Sequence, residues 1–234
     1  SAGAASWSAR CGAAGGRLSS GQAMVAGGWE CSSEASGRVS DVWLSWDAGA
    51  SWQLARRESE WSGRSGHSVA TSESGRVVLA GGFDGVRSLS DVWESRDGGA
   101  SWSVVTRAPG WSGRSRAGVW LRSWSDEIGV VGGITEDGDS APGTWLGSGD
   151  IWRVLPGRGF SLPQRYAPAV VAVTNSTAAV FGGMQSDGSP LADSWLLTLS
   201  RRSLLMQRES CPWRSTESCA SVMMTDGQIL VARW

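Results

Sequence analysis

The chain has 234 residues, with 21 arginines and no lysine set against 22 acidic residues, one His, and a net charge of −1. That balance, with no basic block, excludes strong electrostatic attraction to nucleic acid or to anionic membranes. No apolar run approaches the roughly 18 residues needed to cross a bilayer. Hydrophobic content is modest at 41%, but 16 tryptophans carry large area per residue and can anchor a core with only 3 Phe and 1 Tyr.

The opening Ser1-Ala2-Gly3-Ala4-Ala5-Ser6 is not a signal peptide, although such a stretch could be the stub left when one is removed. From Trp7 onward the chain repeats itself. Trp7, Trp61 and Trp111 begin successive copies, with Leu162 standing at the fourth place and Trp213 at the fifth. The copies run 7–60, 61–110, 111–161 and 162–212, and a partial one runs 213–234. Paired glycines, Gly27-Gly28, Gly81-Gly82, Gly132-Gly133 and Gly182-Gly183, keep the same beat at spacings of 54, 51 and 50 residues. Two further tryptophan series follow them: Trp43, Trp93, Trp145 and Trp195, then Trp52, Trp102 and Trp152. A fixed period in this range means one supersecondary unit copied along a single domain, 1–234, each copy too small to bury its own apolar face.

The first copy holds Cys11 and Cys31, whose counterparts Cys211 and Cys219 lie near the other end of the chain. Disulfides between the two ends would staple a closed ring, where the chain-entropy gain is largest. Four cysteines allow three pairings, and four buried free thiols are the alternative.

The second copy shows the unit most clearly. Residues 67–71 (HSVAT) read as a short strand and 72–75 as a turn. Residues 76–80 (RVVLA) are β-branched and almost continuously apolar, as a strand buried on both faces requires. Gly81-Gly82 ends it, where the backbone takes angles closed to other residues. Residues 89–95 (LSDVWES) form a third strand, Asp97-Gly98-Gly99-Ala100 a hairpin turn, and 101–107 (SWSVVTR) a fourth strand. In the third copy the loop Ile134–Pro142 carries Glu136, Asp137 and Asp139, a solvated cluster without the twelve-residue spacing of a calcium loop. The fourth copy carries Asn175-Ser176-Thr177, an acceptor sequon placed at an exposed turn.

Arg64-Ser65-Gly66-His67-Ser68, Gly81-Gly82, Leu89-Ser90-Asp91-Val92-Trp93 and Trp102 together resemble a kelch repeat. The resemblance covers essentially the whole chain and loosens in the fourth copy. Ser45-x-Asp47-x-Gly49-x-x-Trp52 and Ser95-x-Asp97-x-Gly99-x-x-Trp102 likewise resemble the Asp-box (BNR) hairpin found in propeller blades, including those of sialidases. The resemblance implies an all-β, kelch-type β-propeller of four-stranded blades, with about 4.5 repeats visible and a ring that is incomplete or atypically closed. It also implies that the repeat tryptophans pack blades rather than stack on ligands.

The inventory of reactive groups argues against catalysis. One His and one Tyr cannot build a His-based metal cluster, no cysteines show zinc spacing, and no base is placed beside a serine. Arg10, Arg64, Arg114 and Arg165 recur once per copy and invite a sialidase reading, but a structural role as loop caps or partners of acids such as Glu60 suits a repeat better. The aspartates 41, 91 and 193, like Asp47 and Asp97, are expected to accept backbone N–H bonds in turns.

The sequence therefore reads as a non-enzymatic protein-interaction or scaffold module within a larger assembly, without cofactor or metal. The alternative is a carbohydrate-binding or glycan-processing, sialidase-like propeller. The candidate interaction surface is Trp29, Phe83, Ile134 and Met184, which follow the paired glycines, with Trp120 and Trp124 outside the series. Cysteine placement and the sequon lean toward a secreted or luminal location, with the cytoplasm as the alternative.

Overall fold

A computed structural model of the chain describes residues 7–31, 37–122, 125–159, 162–199, 204–209, 219–223 and 229–233, the last three segments and 157–159 as backbone alone. Every described element is a strand. The first sheet contains β1 (Arg10–Cys11), β2 (Ala14–Arg17), β3 (Ala23–Glu30), β4 (Arg38–Ser45) and β5 (Gln53–Arg56), with β1 and β2 both pairing with β3. The second is β6 (Ser68–Thr71), β7 (Val77–Ala80), β8 (Val92–Ser95) and β9 (Ser103–Thr106). The third is β10 (Gly118–Leu121), β11 (Ile128–Val131), β12 (Thr144–Ser148) and β13 (Ile151–Val154).

The fourth sheet holds β15 (Ala169–Ala172), β16 (Thr177–Phe181), β17 (Ser194–Leu199) and β18 (Leu204–Glu209) as an antiparallel meander. The linker after the third sheet adds β14 (Gly157–Gly159) to its outer edge, parallel to β18. That strand has no counterpart in the sequence reading. A hairpin of β19 (Cys219–Met223) and β20 (Ile229–Arg233) follows.

The first strands of successive sheets stand side by side: β2 beside β6, β6 beside β10, β10 beside β15, β15 beside β19. A thread of backbone bonds joins equivalent residues there, from Gly66 N to Gly12 O, Arg116 N to Gly66 O and Ala167 N to Arg116 O. The paired glycines make room for the next sheet. Gly81 and Gly82 have φ of +64° and +102°, and a Cβ on Gly81 would sit 2.5 Å from the Arg114 carbonyl oxygen. Gly82 N donates to that same oxygen at 2.9 Å. No other residue type fits that close approach at that φ.

The core lies between sheets. Val77 and Leu79 of β7 face the first sheet, where they meet Met24, Val42 and the Trp61 and Trp102 rings. Val78 and Ala80 face the third, against Val119, Ile128, Val130 and Trp111. The β7 run is thus buried on both faces because each face belongs to a different interface. Trp61 meets Trp102, and Trp111 meets Trp152, edge to face at 6.0 Å, while Trp7 meets Trp52 at 4.5 Å. These tryptophans cement neighbouring strands.

Candidate functional site

The four repeat arginines are buried, and three of them share one constellation. Arg64 Nη1 donates to Asp91 Oδ1 at 2.6 Å and Nη2 to Oδ2 at 3.0 Å, while Trp93 Nε1 donates to the same Oδ2 at 2.7 Å. Arg10, Asp41 and Trp43 repeat this arrangement in the first sheet. Arg165, Asp193 and Trp195 repeat it in the fourth. Each arginine also donates to the carbonyl of the first paired glycine, as Arg64 Nη1 does to Gly81 O at 2.9 Å. These aspartates, expected from the sequence to cap turns, each neutralise a cation and hold an indole. Glu60 does not partner one of these arginines; it pairs with Arg56 at 2.6 Å.

The third sheet departs from this plan. Arg114 is 1% exposed, yet Gly143 stands where the others carry aspartate. Its bonds reach only neutral acceptors, chiefly Gly132 O at 2.9 Å and Ser112 O at 3.1 Å. Burial without a counter-charge lowers its guanidinium to about 10. The Trp145 Nε1–H is buried and finds no acceptor.

His67 is the other buried titratable group. It lies against Trp61 with both ring nitrogens unpartnered, and burial, aided by the Arg64 charge, pushes it down to about 3. Asp47 behaves as a turn carboxylate. It accepts Ser51 N at 2.8 Å and Ser51 Oγ at 2.6 Å, which holds it down at about 2. Trp52 Nε1 caps the same hairpin by donating to Gly49 O at 3.1 Å.

Of the residues expected at an interaction surface, Trp29 is 40% exposed. The Arg38 guanidinium lies 6.0 Å from its ring and 4.7 Å from that of Phe83, joining two sheets. Phe83, Ile134 and Met184 sit at equivalent half-buried places, bridged through backbone to Ser65, Ser115 and Tyr166. Trp120 is not a surface residue. It is 3% exposed, packed with Leu146, Val180 and Trp195 between the third and fourth sheets, because Gly129 opposite it has no side chain. Trp124, Cys211 and Trp213 lie outside the described residues, as does the side chain of Cys219. Cys11 and Cys31 come together within the first sheet as exposed free thiols, their sulfurs 3.2 Å apart. Asn175 lies in the turn before β16, its carbonyl accepting Arg122 Nε at 3.0 Å.

A cleft of about 610 Å³ opens where β3 ends and β4 begins. Trp7, Trp43 and Leu54 give it apolar wall, and Arg10, Arg38 and Arg57 give it cations. Glu30 and Glu58 are carboxylates of this cleft that carry no ion pair among the described residues. Glu30 accepts a hydrogen bond from Ser8 Oγ. Arg57 has a counterpart in Arg107 of the second copy and Glu30 an acidic one in Asp84, whereas Glu58 is matched by Ala108; the sequence reading, led by the tryptophan and glycine series, made none of the three a site residue.

No protein-family model matches the chain, and no curated protein matches it either. Among solved structures it is similar to the structure of YjhT, with a TM-score of 0.74 and 15% identity, covering 95% of this chain and 76% of that one. The fold is that of a β-propeller. Each sheet is accordingly a blade. At 15% identity this likeness shows the fold alone, and the expectation that the chain is not an enzyme is withdrawn on chemical grounds. That expectation rested on missing histidines and bases beside serine, but acid–base chemistry on a carbohydrate needs neither, since positioned carboxylates suffice.

Proposed function

We propose that the chain is a carbohydrate-binding or glycan-processing propeller of kelch type with Asp-box hairpins, and that sugar enters the cleft of the first blade. The cleft's lining carries this reading. Trp7 and Trp43 offer apolar faces to a pyranose ring, and Arg57, Glu30 and Glu58 surround them with donors and acceptors for hydroxyls. Glu30 and Glu58 are the groups that would hold or move a proton at a glycosidic oxygen. Arg10 contributes position rather than charge, because Asp41 already neutralises it.

Isothermal titration with neutral and acidic oligosaccharides, paired with an assay for released reducing ends, tests the reading. Arg57 and Glu58 are both exposed, so Arg57→Ala and Glu58→Gln leave the fold intact and weaken binding at least tenfold. A wild-type protein that retains no oligosaccharide sinks the proposal, as do variants that bind like wild type.

A second reading has its own observation. Trp29, held against Arg38 and exposed beside Phe83, offers an aromatic anchor for a protein partner. Trp29→Ala would then abolish co-purification of that partner and leave oligosaccharide binding untouched. The exposed Cys11–Cys31 pair and the Asn175 sequon support a secreted or luminal location, which intact-mass measurement of protein from its own source would reveal as an added glycan.

A further inference from the structure

We infer that the third blade binds a small monocarboxylate between Arg114 and Trp145, where the first, second and fourth blades carry an aspartate. In those three blades a single carboxylate satisfies three donors. Its two oxygens take the guanidinium fork, and Oδ2 also accepts the indole N–H at 2.7 Å in every case. The third blade keeps all three donors and lacks the acceptor. Arg114 Nη2 reaches only Ser112 Oγ at 3.3 Å, and Nη1 has the Gly132 carbonyl with a long 3.4 Å contact to Pro142 O. The indole Nε1–H has no acceptor and is itself buried.

The donors are covered, and the chain beside them reaches the surface. Pro142 and Gly143 are exposed, and a Cβ built on Gly143 would lie 3.1 Å from Trp145 Nε1, so an atom above Gly143 is within bonding reach of the indole. A planar carboxylate matches the guanidinium fork with two oxygens and can share one with the indole, as the aspartates do. Chloride offers a single point of negative charge and cannot span both Nη atoms and Nε1 equally well. A buried cation without a counter-charge is costly, and an anion bound there relieves that cost.

The test follows thermal unfolding in formate, acetate or chloride at matched ionic strength. Formate and acetate at ten times their Kd should raise the melting temperature by about 3–6 °C, and chloride by less. Gly143→Asp supplies the carboxylate covalently; at φ +86°, with a Cβ 3.3 Å from Val154 Cγ2, it also carries strain, so its readout is the response to formate. It should lose the response to formate. Trp145→Phe keeps an aromatic ring and removes the N–H, so it should weaken formate binding severalfold. In the wild type, the indole resonance missing from the Trp145→Phe spectrum should shift on adding formate. An equal response to all three salts, a Gly143→Asp variant that responds like wild type, or an indole resonance that does not move would each overturn the site.

Discussion

The second and third blades share a period, a strand order and a core, yet they balance charge in opposite ways. In the second, Arg64 is buried with Asp91 and Trp93, and the unit is electrically complete. In the third, Arg114 is as deeply buried but Gly143 gives it nothing. Repetition therefore sets where a side chain points, while one substitution decides whether that place is structural or available to a ligand. The same holds for the cleft, whose Arg10–Asp41 pair is common to the repeat and whose Glu58 is not.

The comparison is broken most severely by removing the second blade's carboxylate. Asp91→Ala leaves Arg64 buried without a counter-charge and the Trp93 indole without an acceptor, and should cost about 3–5 kcal/mol, read as a fall in melting temperature of roughly 10 °C. Arg64→Met should cost a similar amount by stranding Asp91. Arg114→Met strands no acid, so it should cost distinctly less in buffer without carboxylate anions. Equal losses at the two arginines would mean that the blades do not differ in the way described.

His67 gives the second blade a sensitivity to acid that the third lacks, since Ala117 stands at the matching position. Its folded pKa, about 3, lies below its unfolded value near 6.5. As pH falls from about 6.5 toward 3 the unfolded chain takes up a proton that the folded chain refuses, so stability is fully present above 6.5 and drains away below it. At pH 4 the loss is on the order of 3 kcal/mol. Urea midpoints at pH 7 and pH 4 should show this loss in wild type and a smaller one in His67→Leu, which buries no titratable group.

The sequence carried the fold because its signals repeat. Paired glycines and spaced tryptophans mark strand ends and blade interfaces, and both follow from backbone angle and ring size alone. The site was harder to read. The arginine, aspartate and tryptophan series are each visible, but the partners lie 27 to 31 residues apart and only the fold brings them onto one carboxylate. The one local clue was the break at Gly143 with Arg114 and Trp145 retained. Cysteine pairing was open for the same reason: nothing in spacing distinguishes a bridge within the first blade from one across the chain.

The structure brings Cys11 and Cys31 together, in a first blade that otherwise resembles the second. Bridging two residues 20 apart should add about 3 kcal/mol by restricting the unfolded chain. Unreduced peptide mapping should recover the 11–31 cross-link, and a reductant should lower the melting temperature. A map that joins either cysteine to Cys211 or Cys219 would remove this difference between the blades.

The subtlest contrast is a traded pair of residues in the first two strands of each blade. In the second blade Ala70 faces Val78 across β6 and β7; at the matching place in the third, Trp120 faces Gly129 across β10 and β11. A Cβ on Gly129 would lie 2.1 Å from the Trp120 ring, so the large side chain occupies the space that the small one leaves. Gly129→Val should therefore cost about 1–3 kcal/mol by overpacking. Adding Trp120→Ala converts the pair to the second blade's solution and should recover part of that loss, although Trp120 also fills the interface with the fourth blade and leaves a cavity there. A double-mutant cycle measures the trade directly. Losses that simply add would show that the two positions do not share one space, whereas a favourable coupling of about 1 kcal/mol or more would show that each blade reaches the same packing by a different division of volume.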